Sequence, residues 1–311
     1  MEYITLKNSD LKVSRLCMGG CPMGGYGWGD TQEQELIGAV HTALESGINF
    51  FDTADTYGLG QSEKTLGKAL GSHRNKVMIA TKFGVRIING KTIYDNRPEW
   101  IKEALDRSLE RLKTDYIDLY QVHYRDKKTP IETVMEILDE LKKAGKILYY
   151  GLSNIHLDEI EELIPFTGKL VSFQNEYSLA CRKNEKDMLE LSNKLQITPL
   201  TWGSLGQGIL TGKYDKTSKF SSNDRRSKEN YVNFHGDKLL KNLEIVETMK
   251  TIAAKYNKPI SALAIRYILD FLDGSVVLCG AKRSSQILEN KEGTDWKLEK
   301  DDLEKLNQIS K

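Results

Sequence analysis

The chain has 311 residues, 39% of them hydrophobic and 29% charged, enough to bury one large core or two smaller ones. Its 45 lysines and arginines against 44 acidic residues leave a formal charge of +1, which removes the electrostatic case for a nucleic-acid or membrane-surface partner and favours a small molecule. No stretch approaches the roughly 20 apolar residues of a membrane span, and Met1-Glu2-Tyr3-Ile4-Thr5-Leu6-Lys7 has neither a basic region nor a long apolar run, so a cytoplasmic location is expected. Cys17, Cys21, Cys181 and Cys279 form no disulfide framework, and the one C-x3-C pair lacks a second ligand pair at zinc spacing; reduced structural thiols and no metal are expected.

In chain order, Tyr3–Lys7 and Leu11–Val13 flank the turn-forming Asn8-Ser9-Asp10 and read as a hairpin. Eight short apolar segments follow: Arg15–Met18, Asn49–Asp52, Val77–Thr81, Ile117–Gln121, Ile147–Gly151, Val171–Gln174, Thr198–Trp202 and Ser275–Leu278. Amphipathic stretches lie between them. In Glu33–Ser46 one face carries Leu36, Ile37, Val40, Ala43 and Leu44, and Pro130–Ala144 opens on proline and stops at Gly145. This β-α alternation predicts an α/β fold, a (β/α)8 TIM barrel in one domain over residues 1–311, with the N-terminal hairpin closing its bottom. Lys213–Asp237 is the longest stretch of low hydrophobicity and reads as a surface loop, with a lid over the site as the alternative.

Two glycine-rich segments fail as nucleotide motifs. Gly19–Gly29 lacks the G-x-G-x-x-G spacing of a Rossmann turn and reads as the first loop. Gly84–Thr92 is one residue too long between its glycines for a phosphate loop, which argues against a nucleoside triphosphatase.

Asp52, Tyr57, Lys82 and His123 fall at or just past the ends of the second, third and fourth barrel strands, which a barrel brings together on its C-terminal face. Each alone has a plain structural explanation: a cap, packing, a solvated strand end, a core histidine. Together they suit carbonyl reduction, in which hydride delivery leaves negative charge on oxygen that a proton must meet. Tyr57 is the natural donor, Lys82 the cation that would lower its pKa, Asp52 the partner that keeps Lys82 charged and aimed, and His123 the hydrogen-bond donor that orients the carbonyl.

The segments Asn49-Phe50-Phe51-Asp52-Thr53-Ala54-Asp55-Thr56-Tyr57-Gly58, Ala80-Thr81-Lys82-Phe83-Gly84 and Ile117-Asp118-Leu119-Tyr120-Gln121-Val122-His123 resemble the aldo-keto reductase family, and the likeness runs nearly end to end. It implies that Asp52, Tyr57, Lys82 and His123 are the catalytic residues, and that a nicotinamide dinucleotide lies across the barrel top without a Rossmann fold. By the same resemblance Ser153, Asn154 and Gln174 would hold the carboxamide. Trp202 would stack on the ring, although the family commonly reads Tyr-Ser-Pro where this chain has Trp202-Gly203-Ser204. Gly203, Ser204, Leu205, Gln207, Gly208 and Lys213 belong to a segment resembling the pyrophosphate loop. Gly280, Lys282, Arg283, Gln286 and Asn290 resemble the adenosine end, with Cys279 where the family often has proline. Lys282 and Arg283, basic and with no evident partner, favour NADPH over NADH.

Tyr26, Trp28, Arg86, Tyr124 and Arg125, from the first, third and fourth loops, are expected to line the substrate cleft and to suit an oxygenated or anionic carbonyl compound such as a sugar derivative; the alternative for the two arginines is ion pairing at the loop surface. The competing functions are alcohol oxidation or a redox-neutral step on a keto-sugar, and a nicotinamide-dependent binding or regulatory subunit, a role some family relatives fill beside channels.

Overall fold

The computed structural model describes residues 1–311. Tyr3–Thr5 (β1) pairs antiparallel with Lys12–Ser14 (β2), around a turn in which Asn8 takes φ 59°. In chain order follow β3 (Leu16–Gly19), β4 (Phe50–Asp52), β5 (Met78–Phe83), a second hairpin of β6 (Val85–Ile88) and β7 (Lys91–Tyr94), then β8 (Ile117–Val122), β9 (Ile147–Ser153), β10 (Ser172–Glu176), β11 (Thr198–Trp202) and β12 (Val276–Gly280). The eight strands outside the two hairpins form a closed parallel barrel, β12 pairing back onto β3 through Val277↔Leu16 to Gly280↔Gly19. All eight sequence-read strands are present, each within about two residues of its expected bounds, as strand-edge uncertainty allows.

Helices α1 (Glu33–Glu45), α2 (Gln61–Leu70), α3 (Pro98–Leu112), α4 (Ile131–Lys143), α5 (Ile160–Leu163), α6 (Glu185–Leu195), α7 (Gly236–Lys255), α8 (Ile260–Phe271), α9 (Ser284–Lys291) and α10 (Lys300–Ile309) accompany the strands. The periodicity explains their placement. In α4, Ile131, Val134, Met135, Leu138 and Leu141 form one buried face, Pro130 sets the entry, and Gly145 at φ 72° ends the run.

Two apolar cores result. One lies between barrel and helices. The other fills the barrel's lower interior, where Leu6, Leu11 and Val13 of the hairpin pack with Cys17, Phe50, Ala80, Leu119 and Leu200. The hairpin therefore plugs the bottom, as its position implied. Because strand side chains alternate, the residues two further along β4, β5 and β8 than this apolar layer are Asp52, Lys82 and Gln121. The plug ends where a buried polar layer begins.

The second hairpin was not foreseen. The segment rejected as a phosphate loop turns at Asn89-Gly90, with φ 51° and 73°, a pair of left-handed residues matching the twist of a two-residue hairpin turn. Lys213–Asp237 also differs from a free surface loop. Arg225 N donates to Gly27 O at 3.1 Å, Asp224 bridges to Gly27, and Tyr231 meets Trp28 edge-on at 6.3 Å, so the segment is tied to the first loop. Within it Tyr214, Phe220 and Phe234 cluster around the Arg226 guanidinium.

Candidate active site

Strand register brings the polar layer together: Asp52 lies beside Ala80, Lys82 beside Gln121, and Gln174 beside Ser153. The fully buried Lys82 Nζ donates to Asp52 Oδ1 at 2.5 Å, to Thr53 O at 2.9 Å and to Tyr57 Oη at 3.4 Å. Asp52 Oδ2 in turn accepts from Gln121 Nε2 at 3.2 Å and Gln174 Nε2 at 2.9 Å. A lysine removed from water this completely is costly unless its charge is paired and its donors are used, and here both conditions are met. The carboxylate faces the ammonium with one oxygen and two amides with the other.

Tyr57 sits past the end of β4 on a segment fixed by a close backbone approach. Gly58 has φ 60°, and a Cβ there would lie 2.0 Å from Gly24 O, so only glycine allows the first and second loops to meet. The His123 ring stands edge-on to Tyr57, centroids 5.8 Å apart, and lies tilted on Tyr124 at 5.2 Å. His123 Nδ1 is shut off from solvent with no hydrogen-bond partner. All four predicted catalytic side chains are thus gathered in one place.

Electrostatics corrects one expectation. From sequence, Lys82 is expected to lower the Tyr57 pKa; in the folded protein the phenol is instead pushed well above its usual range, first by burial and then by Cys21, Asp52 and Tyr124, with Arg225 acting in opposition. Tyr57 therefore holds its proton at neutral pH. Burial, assisted by the Lys82 charge, pushes His123 well below the ordinary histidine range, so its imidazole is neutral and presents one N–H and one lone pair.

Around this group Ser153, Asn154, Gln174 and Trp202 form a connected set. Ser153 Oγ donates to Gln174 O at 2.9 Å, Asn154 Nδ2 to His123 O at 3.0 Å, and Trp202 Nε1 to Asn154 Oδ1 at 3.2 Å. Asn154 takes φ 55°, and the next helical turn begins at Leu157, capped by His156 with Glu159. Gln174 has its amide on Asp52, which ties it to the ion pair.

The loop after β11 carries Gly203, Gln207 and Gly208 at φ 68°, 55° and 105°, left-handed conformations of the kind that make anion-binding backbone concavities. In that loop Leu205 is half-buried, Ser204 turns its hydroxyl inward onto Thr201 O, and Gln207 binds Glu176 Oε1 at 3.1 Å. Lys213 pairs with Glu289 at 3.5 Å. Past β12, Gly280 is exposed, Gln286 accepts from Lys282 N at 2.8 Å, and Asn290 is buried on α9.

Lys282 and Arg283 are not without partners, contrary to the sequence expectation. Lys282 Nζ donates to Trp28 O at 2.7 Å, and Arg283 faces Glu35 at 3.2 Å across an exposed rim. Lys282 nevertheless has no carboxylate partner, and burial beside Arg226 and Arg283 holds its ammonium below the usual lysine range. A desolvated cation among cations fits an incoming phosphate.

The substrate-side residues divide in two. Tyr26, Trp28 and Tyr124 remain aromatic groups on the loops, Tyr26 under the Arg225 guanidinium at 5.1 Å, Trp28 donating to Cys21 Sγ at 3.3 Å, and Tyr124 stacked on Tyr94. Arg86 and Arg125 are already ion-paired, Arg86 with Asp95 at 2.8 Å and Arg125 with Glu159 and Glu162 at 2.9 and 2.8 Å. The expectation that they wait for an anionic substrate is replaced by ion pairing, which for Arg125–Glu159 is largely buried rather than at the loop surface. Sequence reasoning missed Gln121 and Arg225. Gln121 carried a signal, a polar side chain inside an otherwise apolar strand end.

A family model for the Aldo/keto reductase family matches residues 15–311. The chain belongs to the aldo-keto reductases. The family is one of oxidoreductases that use nicotinamide cofactors, and its (β/α)8 fold is the barrel described above. "Aldo-keto reductase YhdN" of Bacillus subtilis (strain 168) is 35% identical over 99% of this chain and 93% of its own length. "NADH-specific methylglyoxal reductase" of Escherichia coli (strain K12) is 33% identical over 93% and 92%. The solved glycerol dehydrogenase AKR11B4 from Gluconobacter oxydans superposes with a TM-score of 0.89 at 32% identity, covering 99% of this aldo-keto reductase and 94% of that chain. No helix of this aldo-keto reductase is long and apolar enough to cross a membrane.

Proposed function

We propose that this aldo-keto reductase uses NADPH to reduce an aldehyde or ketone to the alcohol, with Tyr57 as proton donor. The observation that carries the reading is the chain of contacts from Asp52 through Lys82 to Tyr57, with His123 at its edge. When bound, the reduced dinucleotide supplies a hydride to the carbonyl carbon. Tyr57 Oη gives its proton to the carbonyl oxygen as negative charge develops there, and Lys82, 3.4 Å away, stabilises the phenolate left behind. Asp52 holds Lys82 charged and aimed. Neutral His123 donates a hydrogen bond that fixes the carbonyl's direction. Ser153, Asn154 and Gln174 would hold the nicotinamide end, Trp202 its face, the Gly203–Gly208 loop the pyrophosphate, and Lys282 with Arg283 a 2′-phosphate.

For the substrate we propose a small, oxygenated, uncharged carbonyl compound. Aromatic walls from Tyr26, Trp28 and Tyr124 remain available to it, whereas Arg86 and Arg125 are occupied. The names of two relatives, a methylglyoxal reductase and a glycerol dehydrogenase, point to the same class. The test is loss of reduced-nicotinamide absorbance with NADPH and with NADH across aldehydes, ketones, dicarbonyls and keto-sugars. Faster turnover with NADPH on small hydroxy- or oxo-aldehydes is expected; no turnover with any carbonyl despite tight NADPH binding would refute the reading in favour of a binding subunit.

A further inference from the structure

A pocket of roughly 230 Å³ lies on the outer wall, between α3, the β6–β7 hairpin and the segment after β4. Helix α3 turns Trp100, Ala104, Arg107 and Arg111 toward it, one helical face, and none of Asp52, Tyr57, Lys82 or His123 lines it. Two polar atoms on its lining side chains, Asp55 Oδ1 and Trp100 Nε1, are shut off from solvent and have no hydrogen-bond partner. Asp55 is 8% exposed and Trp100 9%. Buried polar atoms are nearly always paired, so two orphans contributed by distant segments to one pocket point to a partner from outside the chain.

The chemistry of that partner can be read from the wall. Trp100 Nε1 only donates. Burial, reinforced by neighbouring Glu63 and opposed by Arg111, pushes the Asp55 carboxyl well above the usual carboxylate range, which favours its protonated, donating form. The Arg86 and Arg107 guanidinium groups lie 4.2 and 5.5 Å from the centre of the Trp100 ring, and Arg111 is close by. Arg107 and Arg111 have one carboxylate each, Glu103 and Glu63, and further N–H groups to spare. The wall is thus rich in donors. Apart from Thr56, its remaining surface is apolar, including Leu59, Ile87 and Ile88, all exposed at the rim.

We propose that this pocket binds a small apolar monocarboxylate of about benzoate size, its carboxylate held by Trp100, Asp55 and an arginine edge, and its body by Leu59, Val85 and Ala104. A volume equal to roughly eight waters of liquid admits such a molecule. The site is separate from the proposed reductase chemistry, although Asp55 N donates to Lys82 O at 3.4 Å and Tyr57 lies two residues further on.

The test is a fluorine NMR titration of the full chain with 4-fluorobenzoate, in the presence of saturating NADP+. Saturable binding is expected. Trp100→Phe keeps the ring but removes the donor and weakens binding about tenfold, the value of one buried hydrogen bond to a charge. Leu59→Glu, at an exposed position where folding is not at risk, weakens 4-fluorobenzoate at least fivefold and weakens the uncharged 4-fluorobenzyl alcohol, which loses only the apolar contact, by less. Absence of saturable binding up to about 10 mM, or undiminished affinity for the acid in either variant, overturns the proposal.

Discussion

Asp52→Asn keeps the shape of the side chain and removes its charge, leaving Lys82 in a fully buried position without a counter-ion. The ammonium would keep only neutral acceptors, Thr53 O at 2.9 Å and the new amide oxygen, while the amide NH2 in place of Oδ2 would face the Gln121 and Gln174 donors. Breaking a buried pair by removing one partner costs about 3–5 kcal/mol, a large share of the roughly 5–15 kcal/mol that holds a protein folded. At about 2 °C per kcal/mol for a chain this long, the melting temperature falls by roughly 6–10 °C. Urea and thermal unfolding followed by circular dichroism at pH 7 measure it. The double variant Asp52→Asn/Lys82→Met removes both charges and regains most of the loss, a coupling that a double-mutant cycle isolates. A single-variant loss below about 1 kcal/mol, or a double variant no more stable than the single, would refute the reasoning.

Three further outcomes follow from the site. Because Tyr57 stays protonated below its raised pKa and His123 stays neutral above its lowered one, kcat/KM for reduction is expected to be flat between about pH 6.5 and pH 9; an inflection near the ordinary histidine value would show His123 titrating freely. Gly58→Ala forces a Cβ into Gly24 O and shifts the segment bearing Tyr57, with activity lost by about a hundredfold while NADPH still binds, as fluorescence titration would read; retention of normal kcat would show that this contact does not position Tyr57. Lys282→Met raises KM for NADPH about tenfold or more and leaves KM for NADH within about twofold; equal effects on both would remove Lys282 from 2′-phosphate recognition.

How far the sequence could be read depended on the distance over which each feature is determined. Strand alternation is local, and it put Asp52 and Lys82 two residues beyond Phe50 and Ala80, so their place above the barrel's apolar plug was legible. The Asn89-Gly90 turn was equally local and was passed over because Gly84 and Gly90 were weighed as a phosphate motif; Val85–Ile88 and Lys91–Tyr94 on either side of it belong to a hairpin. What could not be read was pairing between remote loops. Arg125 finds Glu159 and Glu162 on a later βα connection, and Lys282 finds the Trp28 carbonyl, a backbone group with no signature in sequence. The direction of the Tyr57 shift was misjudged for a related reason: an attractive neighbour is visible in a motif, but the burial that outweighs it is a property of the closed barrel.

The central claim, that Tyr57 delivers the proton that completes hydride transfer, is tested most directly by comparing wild type and Tyr57→Phe on one accepted carbonyl substrate, with NADPH oxidation and NADPH affinity measured in parallel. Removing a general acid lowers the rate by about 10²–10⁴-fold, so the account predicts a fall of that size in kcat with cofactor affinity retained. A Tyr57→Phe enzyme working within about tenfold of wild type would contradict it.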